Sequence, residues 1–488
     1  MNSIPPSRAR GVWRLAVAAV LLGSWTASGQ PSASLGISPG GHYITQDGKP
    51  LVLIGDSGTQ CVLQNANLDY RRWVDDCIKA GLSTVHVWSF VAPRQKADGS
   101  VLEERYGYVY PALTPWARKA SGERAADGEF QYDLRNWDEG DDPKTHYWPR
   151  LRDLCVYTKE KGLVLGITVF FGWPKHAPDW EFHPFNVRNG GPLTDAPKPH
   201  VSQVQRIAAP GREVWQETWS DNWDPAMKNQ WLWEQFAKKL IDETAPFGNV
   251  FFVFMDEHSY EEGNGGDHFL QFFKSRGAMW ADWDKRRADV DMVFADIGYR
   301  KDSGKNAGTV KLVQREPARP FIILEGGPYT GDEVRTAIWT CLVGGGHYVL
   351  HNDAEQETVH TGIMGYDPKV PGGDTGQTRR EWLGHASRFF NSEVVDLDGM
   401  MPHNELTREG AFCLAAPGRE YVVYAIPGSE GPMGLTLHGA GKVQSVRLYT
   451  PRTGESMVDV LFTAEGTEVS VSKPDAQDWV LHVQQAAE

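Results

Sequence analysis

From residue 41 to about residue 390 the chain alternates short β-branched or apolar runs with longer segments of helical period, and this alternation constrains the fold more than any other feature. Strand-like runs fall at 51–55, 84–88, 163–171, 249–255, 290–295, 321–324 and 347–350. Between and after them, helical periodicity and capping signals predict helices at 69–81, 147–162, 225–244, 268–287, 332–343 and 378–390. A strand-then-helix order repeated this often predicts parallel strands joined by helical crossovers, hence a (β/α)8 TIM barrel, with its remaining strand to be found between 287 and 320. The competing open doubly wound sheet ordinarily carries a glycine-rich dinucleotide turn after its first strand, and this chain has none.

The pattern changes near Asp396. Short alternating runs at 420–425, 434–438, 446–449, 469–471 and 479–483, separated by turn residues, predict a small all-β sandwich. The expected organisation is a barrel over 30–395 followed by a β-sandwich over 396–488. Ahead of both, Arg8, Arg10 and Arg14 precede an apolar run from Leu15 to Trp25 and the small residues Ala27, Ser28 and Gly29. That is the layout of a cleaved signal peptide over 1–29, its apolar run too short for a membrane anchor, so a periplasmic or secreted protein is expected.

A formal net charge of −14 disfavours nucleic acid and other polyanions, which are held by clustered Lys and Arg. A neutral or mildly decorated partner fits better. The five cysteines, Cys61, Cys77, Cys155, Cys341 and Cys413, form no C-x-x-C pair and read as small buried hydrophobes. Stretches 91–145 and 172–224 are long for barrel loops and follow the second and third strands, on the side where barrel active sites are built. They carry Trp116, Trp137, Trp173, Trp180, Trp215, Trp219 and Trp223. Most of these rings are expected to pack the loops onto the barrel, while a few, with Trp173 and Trp223 as candidates, suit stacking on the apolar face of a sugar.

Two apolar strands end in carboxylates. One runs from Val250 through Met255 into Asp256, Glu257 and His258, and the other from Phe321 through Leu324 into Glu325. The C-terminal ends of parallel barrel strands meet at one mouth, where a desolvated carboxyl that keeps its proton and an ionised one divide the roles of acid and nucleophile. Other motifs fail on context: the G-x-S-x-G match at Gly36 to Gly40 has Pro39 after its serine, and the glycine-lysine pair Gly304-Lys305 lacks P-loop spacing. Fifteen histidines keep a metal site in view, with His347 and His351 sharing a strand face, but no H-E-x-x-H spacing supports one, and no metal or cofactor is expected.

These residues resemble the clan A glycoside hydrolases and, within them, apiosidase-like barrels followed by a small collagen-binding-type β domain. The resemblance rests on the segment from Tyr43 to Asp56, Tyr132 to Trp137 with Tyr147 to Leu151, Gly172-Trp173 with His183 to Asn186, Glu325 to Tyr329, Gly344 to Tyr348, Tyr449 to Gly454, and Asp478 to Leu481. It implies Glu257 as acid/base and Glu325 as nucleophile of a retaining glycosidase. Two positions depart from the family pattern: Asp256 stands where an asparagine usually precedes the acid/base, and His86 where an arginine usually bonds the nucleophile. Asp56, His86, Trp88, Asp256, His258, Tyr329 and His351 are the expected positioning and substrate-contacting residues. The alternatives are a non-catalytic glycan-binding barrel and, third, a metal-dependent hydrolase. The expected partner is an oligo- or polysaccharide, with no nucleic acid and no stable membrane anchor.

Overall fold

The computed structural model describes residues 35–92, 112–171, 177–194, 205–209, 212–216, 230–256, 266–283, 290–294, 304–315, 319–327, 331–351, 362–369, 375–392, 395–439, 441–458 and 460–486. The expected signal peptide lies outside them. Eight parallel strands close into a barrel: β1 Ile54–Ser57, β2 Thr84–Trp88, β3 Val164–Phe171, β4 Val250–Asp256, β5 Met279–Trp283, β6 Met292–Phe294, β7 Phe321–Gly326 and β8 His347–His351, each paired with the next and β8 with β1. The TIM-barrel expectation holds.

Helices α1 Tyr70–Ala80, α2 Tyr147–Glu160, α3 Gln230–Thr244, α4 Gly266–Lys274, α5 Gly304–Arg315, α6 Asp332–Leu342 and α7 Gln377–Phe390 accompany the strands. The start and stop of α1 follow from its sequence. Asp69 caps it by accepting a hydrogen bond from the Arg72 amide, and Gly81 ends it in the left-handed conformation at φ 91°, which glycine adopts without steric cost. Tyr70, Trp73, Val74 and Cys77, on the i, i+3, i+4, i+7 stripe, are its buried face.

The pleat sorts each barrel strand into two faces. Val85 and Val87 of β2 join the large core between barrel and helices. The lumen is filled by Val164, Phe251, Val253, Ala281, Met292, Phe294, Ile322, Leu324 and Val349, with Ile44 and Leu53 from the N-terminal segment in the same cluster. A three-stranded antiparallel sheet, Leu35–Ile37, Ile44–Gln46 and Lys49–Leu51, supplies that segment.

Two strand expectations need correction. The run at 51–55 is split: Leu51 closes the N-terminal sheet, and the barrel strand starts at Ile54. The strand sought between 287 and 320 lies earlier, as β5 at Met279–Trp283, inside the stretch expected to be helical, and α5 occupies part of the searched interval. Phe269, Phe273, Trp280 and Trp283 carry a helix-like spacing across Gly277, which sits at φ 68° and breaks the helix. Only residues 284–291 connect β5 to its parallel neighbour β6, fewer than the about 10–12 residues that a βαβ crossover ordinarily takes.

The C-terminal part is all β, as expected. It comprises a six-stranded antiparallel sheet in the order Met401–Pro402, Ala411–Ala416, Glu420–Ala425, Trp479–Gln485, Val443–Tyr449, Ser456–Met457, and a three-stranded one in the order Met433–Thr436, Glu468–Val471, Phe462–Glu465. It packs on α6 and α7 through apolar and ionic contacts together. Trp339 stacks on Tyr424 at 5.9 Å, Phe389 meets Tyr449 at 4.9 Å, and the buried Arg335 guanidinium donates to both oxygens of the buried Asp478 at 3.1 and 2.9 Å.

Candidate active site

The C-terminal ends of the barrel strands bring together Ser57, Trp88, Asp256, Glu325 and His351 as backbone positions on one rim. Asp256 is the last residue of β4, with Glu257 next in the chain. Glu325 is the penultimate residue of β7, where the pairing with β8 shifts by one residue between Ile323 and Gly326. Such a bulge interrupts the strict alternation of faces at a strand end, and bulges gather beside active sites for that reason. Glu257, His258, Tyr329, Trp173 and Trp223 lie outside the described residues, as do the side chains of Asp256 and Glu325.

Beneath the rim the lumen carries a polar belt. His86 on β2 spans its neighbours: Nδ1 lies 3.1 Å from Ser57 Oγ on β1 and Nε2 lies 2.8 Å from Thr168 Oγ1 on β3. The imidazole is fully buried, and burial first, then the nearby His351, brings its pKa down to about 3. His86 is therefore neutral at ordinary pH, with one ring nitrogen donating and the other accepting. Trp88, one turn of the pleat further up β2, is buried and meets the half-buried His351 ring edge-on at 5.3 Å. The expected residues His86, Trp88 and His351 thus belong to one lumenal cluster.

Asp56 does not. The β1 pleat sets it opposite Val85 and Leu350, on the outer wall of the barrel. There its Oδ2 accepts from Arg380 Nε of α7 at 3.0 Å and from Trp73 Nε1 of α1 at 3.1 Å, with Asp56 1% and Arg380 2% exposed. The expectation that Asp56 orients substrate is corrected. Its carboxylate ties the barrel wall to two helices, and the cause is simple parity: Ser57, not Asp56, is the inward residue at the end of β1.

The sequence reading passed over Ser57 and Thr168. The available signal was a hydroxyl residue at an inward position of a buried strand. It also passed over the ties that hold the wall of the mouth nearest β1 and β2. Gln64 bonds the Val91 backbone at both ends of its amide, 2.8 Å each way, Asn65 Nδ2 donates to Asp367 Oδ2 at 2.8 Å, and the buried Arg150 donates to the carbonyls of Val62 and Leu68 at 2.6 and 2.8 Å.

The loop tryptophans whose side chains are described, Trp116, Trp137 and Trp180, pack as expected. Trp116, 1% exposed, stacks on Trp137 and meets Phe90, Phe185 and Trp233 edge-on, and the buried Trp180 stacks on His183 at 5.6 Å. Burial lowers the His183 pKa to about 3, so this ring too is a neutral packing element. Among the described residues no group of three or more His, Cys, Asp or Glu side chains could hold a metal ion. No described helix is long and apolar enough to cross a membrane.

No protein-family profile and no curated protein sequence matches the chain. Solved structures do. A glycoside hydrolase aligns over 94% of this chain and 98% of its own at 14% identity with a TM-score of 0.57. A family 5 glycoside hydrolase from Bacteroides vulgatus aligns over 94% of both chains at 14% identity with a TM-score of 0.58. A Bacteroides vulgatus protein provisionally named a glycoside hydrolase aligns over 94% of this chain and 84% of its own at 12% identity with a TM-score of 0.62. The chain shares their fold. It is a TIM barrel followed by a β domain, the architecture expected from the resemblance to clan A.

Proposed function

We propose that the protein is an exported retaining glycoside hydrolase acting on a neutral or mildly decorated oligo- or polysaccharide, with Glu257 as acid/base and Glu325 as nucleophile. The observation that carries this reading is the placement of the two positions. One directly follows the last residue of β4, the other lies at the bulged end of β7, and both strands open onto the same rim. In this mechanism Glu257 protonates the leaving oxygen while Glu325 attacks the anomeric carbon. Water, deprotonated by Glu257, then displaces the enzyme carboxylate, with net retention of configuration. The fold shared with glycoside hydrolases supports the assignment.

His86 favours a second reading. A neutral imidazole already bonded to Ser57 and Thr168 supplies no positive charge to a neighbouring carboxylate, so a barrel that binds glycan without turning it over is the rival. A panel of aryl glycosides and polysaccharides separates the two. Hydrolysis with retention, read from the anomeric proton by NMR, is expected, with Glu257→Gln losing about 10²–10⁴-fold in rate on substrates with poor leaving groups. A 2-fluoro glycosyl adduct should form on Glu325. Binding without hydrolysis, unchanged in Glu257→Gln and Glu325→Gln, would replace the enzyme reading with the binding one, and inversion of configuration would remove the nucleophile role.

A further inference from the structure

Six large hydrophobic residues are exposed among the described residues, and four of them, Met457, Val458, Leu461 and Phe462, fall within six consecutive positions of the C-terminal domain. Leu461 is 94% exposed. The segment joins two strands that are both edges among the described residues: Ser456–Met457 ends the six-stranded sheet, and Phe462–Glu465 ends the three-stranded one. Soluble proteins ordinarily blunt such an edge with lysine, proline or a covering loop. Here the chain from Thr453 to Ser472 contains no lysine, arginine or proline, and Glu455, Asp459, Glu465 and Glu468 lie around the apolar residues in sequence.

The register gives this edge two distinct faces. Phe462 and Ala464 pair with Val471 and Val469, which belong to the buried core of the domain, so the edge strand continues that apolar face outward. Thr463 pairs with Ser470 and position 465 with Glu468, which form the opposite, polar and acidic face. A second copy would bring another acidic cluster of the same sign to this edge, and an anionic lipid surface would be repelled in the same way. An extended segment with apolar residues on one face and lysine or arginine on the other satisfies both faces while its backbone pairs with the open ladder.

We infer that the edge strand Phe462–Glu465, with Leu461 and the exposed Met457 and Val458 shortly before it in the chain, is a docking site for an extended polypeptide whose residues alternate apolar and basic. The site is separate from the barrel mouth and independent of the hydrolase reading. The test uses the full chain and a fluorescent eight-residue peptide of alternating lysine and valine, followed by anisotropy. Controls are the glutamate–valine peptide and a lysine–valine peptide with proline at its centre. Binding by the lysine–valine peptide is expected to exceed that of either control by tenfold or more and to weaken with added salt. Leu461→Asp and Ala464→Pro should each reduce it at least tenfold, the first by removing apolar contact and the second by removing an outward-facing N–H from the edge ladder, with the thermal midpoint and any glycan hydrolysis unchanged. Because Leu461 is almost wholly exposed, Leu461→Asp keeps the test open if the proline variant fails to fold. Equal binding of the lysine–valine and glutamate–valine peptides, or no binding, would overturn the proposal. A concentration-dependent dimer in sedimentation that Leu461→Asp abolishes would overturn it in favour of a second copy.

Discussion

Replacing Arg380 with methionine tests the assignment of Asp56 to the outer wall. Methionine keeps an unbranched apolar stem in the space between α1, α7 and β1 but removes the guanidinium that donates to Asp56 Oδ2 at 3.0 Å. Both groups are at most 2% exposed, so water does not substitute for the lost partner. Breaking a buried pair from one side costs about 3–5 kcal/mol. The Trp73 indole still donates to the same oxygen at 3.1 Å, which places the expected loss near the lower end, about 3 kcal/mol. Urea unfolding followed by tryptophan fluorescence measures it, with Asp56→Asn and the double variant completing a thermodynamic cycle. The double variant should be less destabilised than the sum of the singles by about 1–3 kcal/mol, because each single leaves one charged or polar group stranded. Catalytic constants per folded molecule should stay within threefold of the parent in all three. A loss below about 1 kcal/mol for Arg380→Met would refute the energetic reasoning. A collapse of activity in Asp56→Asn with stability intact would return Asp56 to the mouth.

Three further outcomes are expected. His86, His183 and His347 are buried with pKa values lowered to about 3, 3 and 4, whereas unfolded histidine titrates near 6.5. Between those values the unfolded chain binds more protons, so stability is full above pH 6.5 and falls as pH drops, by up to roughly 1.4 kcal/mol per pH unit for each of the three. Urea midpoints equal at pH 7 and pH 5 would sink that account. In Gly384→Ala the new methyl carbon would lie 1.9 Å from the Ala80 carbonyl oxygen, forcing α7 off α1. A loss of about 1–3 kcal/mol is expected in thermal unfolding, and a neutral result would mean that the helices separate without cost. Arg335→Met should destabilise the whole chain by about 3–5 kcal/mol, and a single calorimetric transition that shifts intact checks that barrel and β domain unfold together.

The barrel was legible because apolar runs and helical periods set its alternation, and seven strands follow that signal with boundary shifts. The exception, β5, carries aromatic residues at a spacing that suits a helix as well as a strand, and only the break at Gly277 separates the two readings. The strand-end positions of Asp256 and Glu325 could be read from sequence because each follows an unbroken apolar run. The direction of Asp56 could not. Asp56 shares the outward set of the pleat with Ile54, while Leu53 and Ser57 take the lumenal set, and in a run that is apolar on both faces nothing in the sequence marks which set turns inward. Arg380 was equally hidden, since nothing in the run Gln377-Thr-Arg-Arg380 marks which arginine is taken inside.

The buried surface of α6 has a consequence for heredity. Val334, Arg335, Ala337, Ile338, Trp339, Thr340, Cys341 and Leu342 are all buried, so this helix has no broad solvent-facing stripe on which charge could drift freely. Its outer residues answer to Tyr424 and Asp478 of the β domain, as Phe389 on α7 answers to Tyr449. Recombination that exchanged the β domain for another would strand an arginine and aromatic rings at the cut surface. A chain carrying a different β domain would need matching changes on α6 and α7 to cover that surface.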